Sequence, residues 1–425
     1  MTDTIFALSS GRPPAAIAVM RISGPDAGAA LAALAGKRPE PRRATLRALR
    51  DVAGEVLDHA LVLWLPGPNN ATGEDCAELH LHGGAAIIRV VEAALVRLPG
   101  LRAAMPGEFT RRAFTNGRLA LSEAEGLADL LEAETELQRR HALAVADGAL
   151  SRQFAEWRDA ILALSAEVES VLDFSDEEDG QGLSAQFDRR LCDVSADIAG
   201  WLAQPRAERL KEGYRIVLAG PPNAGKSTLF NALVGEDAAI ATPVAGTTRD
   251  VLERTIAIKG IPLMLTDTAG LHDASHDPVE GMGMARAREA MNSADLVLWM
   301  GSGAEAPEGS WRVRSKSDLG EYVAAENIDY HVSAKTGAKI PALLHALADR
   351  ARLAMPRAGR VALNARQHAI VAEMHSVLVG MEDGADLLIV AENLRRAREC
   401  LDRLVGKTAT EDMLDTLFGR FCIGK

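Results

Sequence analysis

The sequence predicts a multidomain α/β plus all-α chain: an N-terminal α/β domain, a helical bundle, and an inserted α/β domain of mainly parallel sheet with helices on both faces. Three observations carry this. Residues 1 to about 115 hold short apolar runs closed by turn residues. From about residue 119, and again beyond Pro356, apolar residues recur at spacings of three and four. Between these flanks the apolar run Tyr214 to Ala219 leads into Gly-Pro-Pro-Asn-Ala-Gly-Lys-Ser at 220–227, which fits the phosphate-loop pattern G-x-x-x-x-G-K-S/T between a strand and a helix.

The 425 residues suffice for two to four domains, and 48% hydrophobic with 25% charged content is that of an ordinary globular protein. A net charge of -12 argues against a surface that coats nucleic acid, because phosphate binding needs clustered cations. Arg111, Arg112, Arg395, Arg396 and Arg398 are the local cations that could still grip RNA. Cys76, Cys192, Cys400 and Cys422 are scattered without a C-x-x-C, which suits a reducing cytoplasm and excludes a zinc ribbon. No apolar stretch approaches the ~20 residues of a membrane span, and the N-terminus lacks a secretory pattern.

In chain order, Ile17 to Ile22 and Ala60 to Leu65 read as strands, each followed by a Gly/Pro turn. Ala77 to His82 alternates Leu79 and Leu81 with Glu78, His80 and His82 before Gly83-Gly84. Those three polar residues pose a metal hypothesis against a simpler one, a solvated or ligand-facing strand face, which the absence of a completed ligand set favours. Ala85 to Leu98 reads as a helix, and Ser122 with Glu125 forms a capping-box pattern for the next. Phe154, Trp157, Ile161, Leu164, Val168 and Val171 make a helix-on-helix seam. Asp173 to Gly182 reads as an acidic loop and Ser184 to Leu202 as a helix. After the inner domain, His368 to Val379 and Asp386 to Val405 are helical, and Thr408 with Glu411 caps a last helix to Phe418.

The loop after Ala219 places Asn223, Ala224, Gly225, Lys226, Ser227 and Thr228 around a polyphosphate, with Lys226 reaching the β and γ phosphates and the Ser227 hydroxyl on Mg²⁺. Downstream come Gly246-Thr-Thr-Arg-Asp250, with a threonine for Mg²⁺, and Asp267-Thr268-Ala269-Gly270 after the strand Pro262 to Thr266. Then come a strand from Asp295 to Met300, Ser315-Lys316-Ser317-Asp318, and Ser333-Ala334-Lys335. The Asp318 carboxylate can accept from guanine N1-H and its exocyclic amine, so guanine is expected over adenine. Ser315 stands where most GTPases have asparagine; its shorter side chain is expected to lose reach toward loop and base and to weaken binding somewhat. Leu271 stands where many carry a water-positioning glutamine and cannot hydrogen-bond water. Arg249 could supply the transition-state charge, or a monovalent cation near Asn223 and the loop Thr242 to Thr247 could.

These motifs, with Asp3 to Ala7, Met20 to Gly24, Glu74-Asp75 with Glu78-Leu79 and His82 to Gly84, Pro106 to Thr110, Arg111 to Phe114 and the terminal Phe421-Cys-Ile-Gly-Lys425, resemble the MnmE (TrmE) family of tRNA modification GTPases over the whole chain. The resemblance implies a tetrahydrofolate-binding, dimerising domain over 1–117, helical parts over 118–211 and 354–425, and a Ras-like GTPase domain over 212–353. It implies a homodimer and a flavin-dependent partner of the MnmG type, acting on C5 of the wobble uridine of tRNA. A 5-formyl or 5,10-methylene folate would supply the carbon and contact Arg21, Glu78, Arg118 and Lys425. K⁺ would lie on Asn223, Thr242, Val244 and Thr247, within Thr242-Pro243-Val244-Ala245-Gly246-Thr247, and Mg²⁺ on Ser227 and Thr248. Glu280 would orient water, and Cys422 would be either chemical or a small buried anchor. Residues 301–309 are short for a Ras-like domain, which should carry a helix there. The competing reading is a GTPase switch in ribosome or RNA assembly, but the flanks show no RNA-binding pattern.

Overall fold

The computed structural model describes residues 3–173, 183–235, 252–268, 280–319, 328–357, 360–381, 386–408 and 410–425. The acidic loop expected at 174–182 therefore lies outside the described residues. The chain divides into two compact units: Met1–Ala128 with Val145–Asp159 and Arg398–Lys425, and Asp129–Ala144 with Ala160–Ala397.

In chain order the first elements are β1 (Thr4–Leu8), β2 (Ile17–Ser23), α1 (Ala27–Ala35), β3 (Thr45–Arg50), β4 (Val56–Leu65), β5 (Cys76–His82), α2 (Ala85–Val96), β6 (Leu101–Ala103), α3 (Glu108–Thr115) and α4 (Leu121–Glu132). The six strands form one sheet in the order β3-β4-β5-β2-β1-β6, antiparallel except for β1 with β6. The alternation in β5 does what a half-buried strand requires: Ala77, Leu79 and Leu81 are fully buried, with Met20 and Ile22 of β2, Leu31 of α1 and Val91 of α2. Glu78 and His80 point to the other face. One cation sits wholly inside this unit. Arg112 of α3 donates to the Asp3 carbonyl (2.9 Å), Asp3 Oδ1 (2.9 Å), Glu74 Oε2 (3.0 Å) and Glu108 Oε1 (3.2 Å), with no exposed surface.

The chain continues through α5 (Glu136–Ala146), α6 (Ala149–Asp173), α7 (Ala185–Leu202), α8 (Glu208–Glu212), β7 (Tyr214–Ala219), α9 (Lys226–Val234), β8 (Leu252–Ile258), β9 (Ile261–Asp267), α10 (Glu280–Ser293), β10 (Leu296–Trp299), β11 (Trp311–Arg314), β12 (Tyr330–His331), α11 (Ile340–Ala354), α12 (Ala365–Val379), α13 (Leu387–Val405) and α14 (Glu411–Gly419). The second sheet has the order β12-β11-β10-β7-β9-β8 and is parallel except for the β8–β9 hairpin. That hairpin closes through Lys259 and Gly260, both at positive φ (51° and 75°), the backbone that two-residue hairpin turns require. Leu229, Phe230 and Leu233 of α9 and Leu343 and Leu347 of α11 bury against the sheet residues Ile216, Leu218, Leu263, Leu265 and Leu298. Between β10 and β11 only a single turn of 3-10 helix, Gly303–Glu305, replaces the helix a Ras-like domain carries.

The α6 seam forms over most of its expected length: Phe154, Trp157, Ile161, Leu164 and Val168 are all at most 2% exposed, while Val171, near the end of the helix, is only half-buried. Flanking helices pack together across the inserted domain. Leu121, Ala124 and Ala128 of α4 share a core with Leu414, Leu417 and Phe418 of α14, and α7 lies against α12. Two caps differ from expectation. Ser122 lies inside α4, its hydroxyl on Ser151 Oγ at 3.0 Å, and the helix start is closed instead by Glu123, whose Oε2 accepts from the Ala120 N–H at 2.8 Å. Thr410 caps α14 by accepting from Met413 N–H, not Thr408; Thr410 is the threonine adjoining the first helical residue.

Candidate functional site

The loop 220–225 joins the C-terminal end of β7 to α9, whose first N–H groups have no partners within the helix. Asn223 and Gly225 adopt positive φ (62° and 94°), which curls the loop into a cradle. Lys226 is the first helical residue, earlier than the Thr228 start expected, and only 6% exposed. Its Nζ donates to the carbonyls of Gly220 (3.0 Å) and Pro221 (2.9 Å), which holds the ammonium across the loop. Ser227 and Thr228 are exposed at its mouth. Asp267, fully buried, ends β9 opposite Leu218 of β7, and the Thr268 hydroxyl donates to the Leu218 carbonyl at 2.8 Å.

The residues expected to read the base follow two other strand ends, β11 and β12. Asp318 Oδ1 accepts from Ser333 Oγ at 2.7 Å, and this hydrogen bond is the main cause holding the carboxyl below its ordinary pKa. It is therefore an ionised acceptor at neutral pH. Ser333 is fully buried and also accepts from Thr336 N–H at 3.3 Å; Ala334 is half-buried and Lys335 exposed. Lys316 Nζ donates to the Asn223 carbonyl at 3.4 Å. Ser315 corrects an expectation: it keeps its reach to the loop, donating from Oγ to the Ala224 carbonyl at 2.6 Å. The approach is close because Gly225 has no side chain; a β-carbon there would stand 2.9 Å from Ser315 Oγ. Ser315→Ala is expected to weaken guanine-nucleotide binding roughly 2- to 10-fold, the worth of one hydrogen bond. Titration with a fluorescent GDP measures it, and unchanged affinity would remove that bond from the account.

Thr242, Pro243, Val244, Ala245, Gly246, Thr247, Thr248, Arg249, Ala269, Gly270 and Leu271 lie outside the described residues. Glu280 is the first residue of α10.

A second constellation lies on the outer face of the first sheet. Register pairs Arg21 with Glu78, and Arg21 donates from Nε (3.1 Å) and Nη2 (3.0 Å) to Glu78 Oε1, while His80 Nε2 meets Glu78 Oε2 at 3.2 Å. The Arg21 guanidinium lies 5.7 Å from the Phe109 ring centre. Phe109 N–H in turn donates to the Lys425 carbonyl at 3.2 Å. Gly424 makes this possible: at φ 98° its β-carbon position lies 2.0 Å from the Leu8 carbonyl oxygen, so no other residue fits. The fold thus gathers Arg21, Glu78 and the end of the chain around Phe109. Arg118 donates from Nε to the Asn70 carbonyl at 3.3 Å, and among the described residues no hydrogen bond joins it to Arg21, Glu78 or Lys425.

His82 turns away to Asp58, 2.7 Å from Nδ1 to Oδ1, and among the described residues no three His, Cys, Asp or Glu side chains are grouped to hold a metal. Cys422 is exposed and so is not a buried anchor; Phe421, 3% exposed, fills that place. Among the arginines offered to RNA, Arg112 is excluded by burial, Arg111 is engaged by Glu411 and Asp415, and Arg395 by Glu392. Arg396 and Arg398 remain exposed.

A largely parallel sheet with a phosphate-loop sequence at its β7–α9 junction and the ionised Asp318 carboxylate at a neighbouring strand end is the arrangement of a P-loop GTPase. The profile described as GTP-binding protein TrmE N-terminus matches residues 4–118, and that of the MnmE helical domain matches residues 121–422. The tRNA modification GTPase MnmE of Erythrobacter litoralis is 57% identical over 423 residues, covering 100% of both chains. Its counterpart in Novosphingobium aromaticivorans is 56% identical over 437 residues, again covering 100% of both. The solved structure of Aquifex aeolicus Era bound to GDP and aluminium fluoride aligns over 46% of this chain and 89% of its own at 19% identity and a TM-score of 0.25, too loose to add to the topology above. The chain belongs to the MnmE family of tRNA modification GTPases. It is a GTP-hydrolysing enzyme of tRNA modification. No helix among the described residues is long and apolar enough to cross a membrane.

Proposed function

We propose that this chain works as a cytoplasmic homodimer with a flavin-dependent partner of the MnmG type, and that its GTP hydrolysis drives rearrangements of the complex. That complex adds an aminomethyl or carboxymethylaminomethyl group to C5 of the wobble uridine of certain tRNAs, with a 5-formyl or 5,10-methylene tetrahydrofolate as the carbon source. The division of labour follows the domains 1–117, 118–211, 212–353 and 354–425, the third inserted between the two helical parts.

The observation that carries the folate reading is the Arg21–Glu78 pair beside Phe109 and the pinned end of the chain. A folate combines a planar ring bearing N–H donors with a tail of carboxylates. Glu78 would accept from the ring, while Arg21, Arg118 and Lys425 would meet the carboxylates or ring oxygen. Cys422, exposed two residues from Gly424, would take a chemical role on the bound carbon unit.

In the nucleotide site Lys226 would exchange its loop carbonyls for phosphate oxygens, a charge-assisted and stronger interaction. Mg²⁺ would sit on Ser227 and Thr248 with Asp267 ordering its shell, and K⁺ on Asn223, Thr242, Thr247 and the Val244 carbonyl. Ser227 and Asn223 lie at the β7–α9 junction and Asp267 ends the neighbouring strand β9, and oxygen donors of this kind suit hard cations. A bound cation would offset transition-state charge, while Leu271 leaves the water to be oriented by another group. Arg249 is a further donor to that charge, and Glu280 would orient the attacking water. GTP turnover should therefore be several-fold faster in K⁺ than in Na⁺ at equal ionic strength; identical rates would sink the cation assignment. Mass analysis of wobble nucleosides from cells lacking the chain tests the modification itself, and unmodified levels identical to wild type would favour the assembly switch.

A further inference from the structure

Helix α5 touches every segment that roots the nucleotide-binding sheet. Gln138 divides its two ends between tasks. Its Oε1 accepts from the N–H groups of Glu134 (2.8 Å) and Thr135 (2.7 Å), which closes the start of α5, while its Nε2 donates to the Leu210 carbonyl at 2.7 Å. Leu210 belongs to α8, the segment leading into β7. One turn further along α5, His141 Nε2 accepts from the Ala362 N–H at 2.9 Å, on the segment leading out of α11 into α12. Burial pushes the imidazole pKa below its ordinary value, which keeps Nε2 an acceptor. The incoming and outgoing segments also pair directly, Ala207 N–H to the Leu363 carbonyl at 2.9 Å.

At this same N-terminal end α5 meets the sheet. Leu137 packs on the core of the nucleotide domain, and a β-carbon on Gly260, in the β8–β9 turn, would stand 3.5 Å from Glu136 Cβ. The hairpin is paired without a break from Leu252 opposite Asp267 to Ile258 opposite Ile261. It is therefore a stiff ribbon with Asp267 of the nucleotide site at one end and α5 at the other. A pocket lined by Asp129, Ala133, Ala142, Leu210 and Lys211 lies between the facing segments here, beside the Gln138 and His141 hydrogen bonds, and Lys211 also pairs with Glu132 and Asp129.

We infer that Gln138 and His141 are positioning residues that pass movement of the β8–β9 hairpin to the segments joining the nucleotide domain to its helices, and so couple GTP hydrolysis to tRNA modification. This rests on the reading that hydrolysis drives the modifying complex. Gln138→Glu separates the two tasks of the side chain, since it retains the acceptor that caps α5 and replaces the donor to Leu210. His141→Leu removes the acceptor for Ala362, and His141→Gln restores one near the same place.

The test measures GTP turnover of each purified full-length variant and wobble-uridine modification in cells carrying that variant as the sole copy at matched protein level. Gln138→Glu and His141→Leu should keep wild-type turnover while modification falls roughly tenfold, the size of an ordinary coupling free energy, and His141→Gln should recover it. Wild-type modification in both variants overturns the inference. So does a parallel fall in turnover, which would place the two residues in support of the nucleotide site alone. If the underlying reading is wrong, the wild-type chain itself will restore no modification to cells lacking it.

Discussion

Replacing Lys226 by alanine should lower GTP turnover by about 10²–10³-fold or more, the cost of losing one preorganised charged donor to a transferring phosphoryl group. The side chain is nearly enclosed by the loop it crosses, and its two carbonyl partners are the ones it would leave when phosphate arrives. Because the ammonium sits at the β7–α9 junction while the Arg21–Glu78 pair belongs to the other compact unit, affinity for 5-formyltetrahydrofolate should be unchanged in the same variant. Single-turnover GTP hydrolysis and calorimetric folate titration measure the two. Loss of both would mean the sites are not separate.

Arg112→Met should destabilise the N-terminal unit by about 3–5 kcal/mol, the usual cost of removing one partner from a buried ion cluster. The substitution keeps the apolar stem but leaves Glu74 and Glu108, at 14% and 5% side-chain exposure, without the cation that faces both. Arg102 would still hold both Glu108 and Asp3, so Glu74 carries most of the loss. Hydrogen exchange of the β5 amides in the full-length chain reads the effect; protection equal to wild type would show that the cluster contributes little.

The pH dependence follows from the same groups. Burial works to raise the pKa of Asp3 and of Glu108; for Asp3 the hydrogen bond and charge of Arg102 with the charge of Arg112 outweigh it, and for Glu108 hydrogen bonds from Arg102, the Met105 N–H and Arg112 with the charge of Arg102 do, leaving each below its ordinary value. Their folded pKa being depressed, this stability is present above the unfolded value near pH 4 and is lost as pH falls through the folded one. The gap between wild type and Arg112→Met should accordingly narrow below about pH 4.

Much of the architecture is written in local pattern. The α6 seam, the β5 alternation and the phosphate loop each announce themselves because burial follows the periods of helix and strand and because a phosphate cradle needs glycine and lysine at fixed spacing. Elements with weak periods did not. β8 carries Glu253 and Arg254 next to each other, β11 alternates two arginines with Trp311 and Val313, and α3 is a short charged helix held by the Arg112 cluster. Their conformations come from neighbours already in place, which no local window contains. One of the misplaced caps has the same origin: Ser122 fits a capping pattern, but its hydroxyl is taken by Ser151, twenty-nine residues away.

The sequence alone thus determined that this is a guanine-nucleotide enzyme of the MnmE family, since five short motifs in order and a distinctive C-terminus specify chemistry that few arrangements share. Only the tertiary structure decided which of the motif residues act together. Arg21, Glu78, Phe109 and Lys425 are scattered over the chain and meet because β2–β5 register and a glycine at 424 bring them there. Ser315 recovers the loop contact its length seemed to deny because Gly225 allows the strand end to close in. Gln138 and His141, unmarked by any motif, gain a role solely from the segments they bridge. Hydrogen bonds and ion pairs between distant residues depend on ångström-scale positions, which the packing of strands and helices sets and composition or spacing does not.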